Sequence, residues 1–306
     1  MVASVYEGMG VMETPCWSRG ADGDTREMAS LLACDRRMSG ADSGIRESKM
    51  HGAITTACVT DGKTALVTGG SRGIGRGIAV ALAEAGASVM LTYERNKELA
   101  ARAVEDIEKG GGRAGAVQMS LGSRESIKRA LSETRKAFGA VDILVNNAAV
   151  AQEKPFEEIT DEDWDLMLAL NLRGAFVSCQ EALPGMLKSG FGRIVNVTSV
   201  GGQWGGLNQV HYAASKAGLI SLTMSVARIF SNRGVTCNAV SPGLVMTDMA
   251  AQEIDSEMGR EKMRNIPMGR VGTIREVADV VVFLASSAAS YVTGQTININ
   301  GGMYFG

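Results

Sequence analysis

Tyr212 and Lys216 stand four residues apart in S-V-G-G-Q-W-G-G-L-N-Q-V-H-Y-A-A-S-K, the stretch from Ser199 to Lys216. On a helix that spacing puts both side chains on one face, one turn from each other. An ammonium beside a phenol favours the phenolate, so the pair predicts a tyrosine pKa lowered toward the range of a working proton donor or acceptor. Ser199 lies just past the apolar run Ile194-Val195-Asn196-Val197, where its hydroxyl can face the same pocket. A solvated helix face also produces Y-x-x-x-K, and only the surrounding elements decide between the two readings.

The first of those elements is a strand that ends in glycines. Lys63 to Thr68 reads as a short buried parallel strand, followed by Gly69-Gly70-Ser71-Arg72-Gly73-Ile74-Gly75. Ile78, Val80, Ala81, Leu82 and Ala85 then recur at helical spacing up to Gly86. Strand, glycine turn and helix together form a phosphate cradle, because small residues let backbone N–H groups approach an anion at a helix N-terminus. The glycines are spaced G-x-x-x-G-x-G, which matches the dinucleotide fingerprint in logic but not in letter, and a tight turn alone would also use them. The next strand, Ser88 to Tyr93, should end beside an adenosine ribose. Tyr93 holds that tip in place of an acid, Glu94 and Arg95 follow, and Arg72 lies in the loop; the balance predicts NADP over NAD.

Strand and helix then alternate: helix Lys97 to Lys109, strand Ala114 to Gln118, helix Arg124 to Phe138, strand Asp142 to Asn146. Right-handed crossovers turn such a pattern into a parallel sheet with helices on both faces and ligands at the carboxyl ends of the strands. Asn146-Asn147-Ala148-Ala149 falls at that rim, where the amides either bind ligand or tie neighbouring strand ends together. Thr160 to Leu187 is helical by period, with Trp164, Leu168 and Leu172 on one face and Pro184 bending or ending it. Asn171, in mid-helix, is a candidate for holding water beside Tyr212 and Lys216.

Gly201, Gly202, Gly205 and Gly206 flank Gln203-Trp204, a flexible loop whose indole either caps a substrate or packs on its own protein. A helix from near His211 to Phe230 carries Tyr212 and Lys216; His211 points elsewhere and reads as structural. The strand Val235 to Val240 leads into Ser241-Pro242-Gly243-Leu244-Val245-Met246-Thr247, where exposed backbone and a hydroxyl could hold a carboxamide. Residues 248–266 read as a methionine-rich lid, ahead of a helix from Ile274 to Ala285 and a strand from Thr296 to Ile299.

A chain of 306 residues with 45% hydrophobic and 21% charged residues can bury a substantial core. Its net charge of −2 gives no general reason to expect nucleic acid or an anionic membrane, and the apolar run from Val280 to Tyr291 is too short to span one. Five cysteines without a C-x-x-C pair suit a reducing, cytoplasmic setting, and with His51 and His211 as the only histidines no metal site is expected. Residues 1–60 lack sustained period and are predicted to be a poorly ordered extension ahead of a catalytic domain over 61–306. Met28, Met38 and Met50 are candidate internal starts, an idea that N-terminal sequencing finding Met1 or Val2 would sink.

Jointly, Thr68-Gly69-x-x-x-Gly73-x-Gly75, Asn146-Asn147-Ala148, Asn171, Ser199, Tyr212-x-x-x-Lys216 and Pro242-Gly243 with Thr247 resemble the short-chain dehydrogenase/reductase family, over residues 62–306. Ala149 replaces the family's usual glycine, and Ser120-Leu121 stands where an aspartate often reaches toward adenine. The resemblance implies a single doubly wound Rossmann domain, with a mostly parallel seven-stranded sheet. It implies that Tyr212 donates a proton to a carbonyl oxygen, Ser199 hydrogen-bonds that oxygen, Lys216 lowers the tyrosine pKa and binds the nicotinamide ribose, and Asn171 holds a connecting water. NADP(H) would be bound by Gly69, Ser71, Arg72, Gly73, Ile74, Gly75, Tyr93, Asn147, Ala148, Tyr212, Lys216, Pro242, Gly243, Val245 and Thr247.

Ile266-Pro-Met-Gly-Arg270, Thr293-Gly294-Gln295-Thr296 and Asn300-Gly-Gly-Met-Tyr304 look most like the 3-oxoacyl-[acyl-carrier-protein] reductases of that family. These reduce β-keto thioesters in fatty-acid synthesis and are commonly homotetramers. Arg233 matches a basic position that such enzymes use toward the acidic carrier, while Gly190 replaces another. The competing readings are a related carbonyl reductase or alcohol dehydrogenase acting on a polyketide, acyl-CoA, quinone or secondary alcohol, and a nonenzymatic NADP-binding regulator, whose expected mark is loss of Ser199, Tyr212 or Lys216.

Overall fold

A computed structural model describes residues 59–247 and 263–306. The extension expected over 1–60 lies outside these residues except for its last two, and so does most of the lid expected over 248–266.

Four-residue apolar runs are too short for a helix, and here they become the centre of the sheet. β1 (Thr64–Val67) and β4 (Ile143–Asn146) are buried along their whole length, and so is β5 (Gly192–Val197). With β2 (Ser88–Tyr93), β3 (Arg113–Gln118), β6 (Val235–Pro242) and β7 (Thr296–Ile299) they form one seven-stranded sheet in the order β3-β2-β1-β4-β5-β6-β7. Every pairing is parallel, so the expected sheet is present and none of its strands runs the other way. Chain order reverses between β1 and β4, which opens the crevice where doubly wound sheets receive ligands.

Alternation along each strand sends neighbouring side chains into two separate cores. On one face Val67, Ile143 and Val195 pack under α1 (Gly73–Glu84), α2 (Lys97–Lys109) and the last helix, α8 (Ile274–Ala285). On the other, Leu66, Leu144 and Ile194 pack under α3 (Arg124–Phe138), α5 (Gly174–Ser189) and α7 (Val210–Phe230). Three of these helix starts carry side-chain caps: the Asn96 side chain accepts from Leu99 N ahead of α2, Ser123 from Ser126 N ahead of α3, and Thr273 and Glu276 form a reciprocal box at α8.

Two local expectations change. The helix expected over Thr160 to Leu187 is α4 (Asp161–Leu168), a π-turn (Ala169–Arg173) and α5 in succession, and it continues past Pro184 to Ser189. Met167 and Asn171 are buried, while Trp164, ahead of the π-turn, is 37% exposed and not part of an inward apolar stripe. Gly201–Trp204, expected to be loop, closes one helical turn (α6), with Trp204 N donating to Val200 O at 3.2 Å.

Candidate active site

The carboxyl ends of β1, β4, β5 and β6 carry the residues singled out from sequence. Past β1, Gly69 and Gly73 take φ of +64° and +55°, which side chains rarely adopt, and α1 begins at Gly73 with no side-chain cap on its first N–H groups. A Cβ on Gly75 would stand 2.3 Å from the Gly69 carbonyl oxygen and 2.4 Å from Asn147 Nδ2. This is a cradle that only glycine leaves open, and it fits a pyrophosphate at the helix N-terminus. Thr247 borders it, its Cγ2 lying 3.9 Å from where a Gly73 Cβ would be.

Thr68 holds the cradle to β4. Its hydroxyl accepts from both Asn147 N and Ala148 N at 2.9 Å, while Asn147 Nδ2 donates to Thr68 O at 2.9 Å. Asn146 Nδ2 donates to Asn196 Oδ1 at 2.8 Å, and Asn196 Nδ2 passes on to Thr223 Oγ1 at 2.8 Å. These amide side chains thus tie neighbouring strand ends together. Tyr93 stands at the tip of β2; Glu94 accepts from Ser120 Oγ at 3.2 Å, and Arg72 and Arg95 are exposed beside it in sequence and loop. Pro242 ends β6, Gly243 is packed against Asn300, and Val245 bridges to Gly272.

The first turns of α7 bring Tyr212 beside Ser199, whose side chain interacts with the phenol. Lys216 is buried and donates Nζ–H to the Val197 carbonyl at 2.8 Å, its ammonium 5.6 Å from the centre of the Tyr212 ring. Gly202 allows this approach, since a Cβ there would stand 2.8 Å from Lys216 Cβ. The expected lowering of the phenol pKa by the ammonium is corrected here: burial pushes Tyr212 up, and the bond from Ser199 is what opposes it. Burial also pulls Lys216 down, to about 8. The half-buried phenol and the buried ammonium therefore share a site where neither charge is well solvated.

Asn171 reaches this pair through one intermediary. Its Oδ1 accepts from Val150 N at 2.9 Å, and its Nδ2 donates to Val150 O at 2.8 Å and to Ser215 Oγ at 3.1 Å; Ser215 Oγ in turn donates to Tyr212 O at 2.7 Å. The π-turn is what aims the amide there.

A family model described as Enoyl-(Acyl carrier protein) reductase, of the short-chain dehydrogenase type, matches residues 69–304. The chain belongs to the short-chain dehydrogenase/reductase family. Among curated short-chain dehydrogenases/reductases it is 42% identical over 242 residues to 3-oxoacyl-[acyl-carrier-protein] reductase FabG of Staphylococcus aureus, covering 79% of this chain and 98% of the relative. It is 45% identical over 243 residues to FabG of Aquifex aeolicus, again covering 79% and 98%. The crystal structure of a proposed gluconate dehydrogenase from Agrobacterium tumefaciens superposes with a TM-score of 0.78 at 35% identity, covering 82% of this chain and 98% of that one. Membership of this family implies a nicotinamide cofactor.

Sequence reasoning missed three partners. The Val197 carbonyl leaves no side-chain signature, and Ser215 is one hydroxyl among many on α7. Tyr304 was noted only within the terminal motif; its ring meets Trp204 edge-on, 6.2 Å between centroids at 83°, while the indole stays 51% exposed.

Proposed function

We propose that this chain is an NADPH-dependent reductase of the β-keto group of 3-oxoacyl thioesters, giving 3-hydroxyacyl products in fatty-acid synthesis. One observation carries the reading: Tyr212 stands beside Ser199 and one turn from the buried Lys216, in a chain matching 98% of the length of relatives named for that reaction. Bound NADPH supplies the hydride. Gly69, Ser71, Gly73, Ile74 and Gly75 cradle its pyrophosphate, Tyr93 borders the adenosine ribose, and Arg72 with Arg95 favours a 2′-phosphate. Asn147 and Ala148 shape the rim of that site, and Pro242, Gly243, Val245 and Thr247 receive the carboxamide.

Tyr212 gives its hydroxyl proton to the carbonyl oxygen as charge develops there, and Ser199 donates a hydrogen bond to the same oxygen. Lys216 binds the nicotinamide ribose. Asn171, with Ser215, holds the route by which the proton is replaced. The acidic acyl carrier is the proposed macromolecular partner, with Arg233 facing it, and the setting is cytoplasmic. A homotetramer is proposed because Leu166 on α4, Phe176 on α5, and Met224 and Ile229 on α7 leave apolar surface outward.

The likeness to a proposed gluconate dehydrogenase favours a second reading, oxidation of a secondary alcohol on a polyol acid. Loss of NADPH absorbance with acetoacetyl-CoA, an acyl-carrier β-keto thioester and a panel of simple ketones separates the two. Thioesters are expected to turn over fastest; oxidation confined to simple ketones, or NADP reduction by gluconate alone, refutes the first.

A further inference from the structure

His211 is fully buried at the start of α7, one residue before the phenol, and nothing in the chemistry above uses it. Its Nε2 lies 2.8 Å from Gln152 Oε1. Gln152 Nε2 donates to Asp163 Oδ1 at 2.9 Å, and Asp163 Oδ2 receives Lys154 Nζ at 2.5 Å. Lys154, then Gln152, then the Thr160 N–H hold the Asp163 carboxyl well below the usual carboxylate range, so it is an acceptor only. That fixes the direction of the whole chain. The Gln152 amide must turn its NH2 to Asp163 and its oxygen to His211, which makes Nε2 the protonated nitrogen of the ring. His211 Nδ1 is buried and has no partner among the described residues, so Gln152 is the ring's one polar anchor there.

The loop that His211 grips is the one that follows β4 past the cradle. It is bracketed on its near side by Asn171, which holds both Val150 N and Val150 O. On its far side Lys154 N donates to Asn208 O at 2.7 Å and Gln209 Nε2 to Glu153 Oε1 at 3.0 Å. Asn208 takes φ +54° to present that carbonyl, the one positive φ outside glycine among the described residues. Asp163 is also the third helical residue in the capping box of α4. Three elements thus converge on the turn that carries Tyr212, and His211 supplies a side-chain bond one residue before the phenol.

We propose that His211 is a positioning residue for Tyr212: through Nε2–H to Gln152 Oε1 it locks the first turn of α7 against the loop after β4, and so keeps the phenol in register with Ser199. This rests on Tyr212 being the proton donor. A residue that only filled space could be replaced by another ring, whereas one that holds direction needs a donor at the same reach.

The test compares His211→Phe, which keeps the ring volume, with His211→Gln, which restores an N–H donor, both in the full chain. With the best carbonyl substrate, His211→Phe is expected to lower kcat by about tenfold to hundredfold, the scale of a small misplacement of reacting groups, with NADPH Kd unchanged. His211→Gln should recover most of that loss. The phenolate titration of Tyr212, read as the absorbance difference from the same protein carrying Tyr212→Phe, should shift upward in His211→Phe, because the Ser199 bond that opposes burial is weakened. Unchanged kcat in a folded His211→Phe, or a Gln variant no better than Phe, overturns the proposal. If His211→Phe fails to fold, Gln152→Leu at the less buried end of the bond decides by the same readings. If no carbonyl substrate turns over in the wild type, the proposed reaction fails, and the titration alone still decides for or against His211.

Discussion

Lys216 spends one ammonium N–H on the carbonyl of Val197 at 2.8 Å, which ties the middle of the reactive helix turn to the end of β5. Burial of that ammonium lowers its pKa from 10.5 to about 8. The charged form therefore costs folding stability, about 3–4 kcal/mol as an upper bound at ~1.4 kcal/mol per pKa unit. The unfolded chain keeps its proton up to a higher pH than the folded one, so the cost is full below about 8 and fades as pH rises toward 10.5.

Lys216→Met should therefore abolish turnover and raise thermal stability together. Losing the bond to Val197 offsets part of the relief, leaving a net gain of about 1–2 kcal/mol. Melting temperatures measured across pH should show the gain below about 8 and its decline above. A variant less stable than wild type at neutral pH would mean that Lys216 is held at a profit.

Asn171→Leu keeps the side-chain volume and removes the bonds to Val150 and Ser215. Unpaired amide groups in the part-buried loop should cost about 2–3 kcal/mol, seen as a lower urea midpoint at unchanged m-value. Turnover should fall as well, because Ser215, which donates to the Tyr212 carbonyl, loses the Asn171 amide that orients its hydroxyl. Wild-type stability and turnover in this variant would remove Asn171 from the site.

Gly75→Ala places a methyl against the Gly69 carbonyl and Asn147 Nδ2, neither of which can yield without opening the cradle. About 1–3 kcal/mol of strain is expected. Fluorescence titration with NADPH should show Kd raised by tenfold or more, roughly 1.4 kcal/mol per decade. Unchanged affinity would place the cofactor elsewhere.

Arg72→Ala tests the choice of cofactor. Arg72 is exposed at the N-cap of α1, and Glu94 is turned toward Ser120. KM for NADPH should rise about tenfold while KM for NADH barely moves, since the lost contact is with the 2′-phosphate. Equal effects on both cofactors would contradict that assignment.

The sheet was legible because buried parallel strands are continuous apolar runs, and β1, β4 and β5 are such runs ending in glycine or polar residues. Tyr212 and Lys216 were legible because helical spacing alone puts them on one face. What escaped the sequence has no side-chain period. The π-turn carries the buried Asn171, and 3.6-residue spacing carries no mark of it. The partner of Lys216 is a backbone carbonyl, and the sign of the Tyr212 shift depends on burial, which the ammonium alone does not predict. The histidine beside the phenol looked idle until Gln152 and Asp163, far away in sequence, were seen to fix its direction.

The most direct measurement supplies NADPH deuterated at the transferable position, together with a 3-oxoacyl thioester, to wild type and to Tyr212→Phe. Wild type should yield the 3-hydroxyacyl thioester with deuterium on the carbinol carbon. In Tyr212→Phe the fold and NADPH binding should persist while the rate falls by about a thousandfold or more, as loss of a proton donor in a preorganised site demands. Deuterium absent from the carbinol carbon, or near-normal turnover without the phenol, would contradict carbonyl reduction by Tyr212.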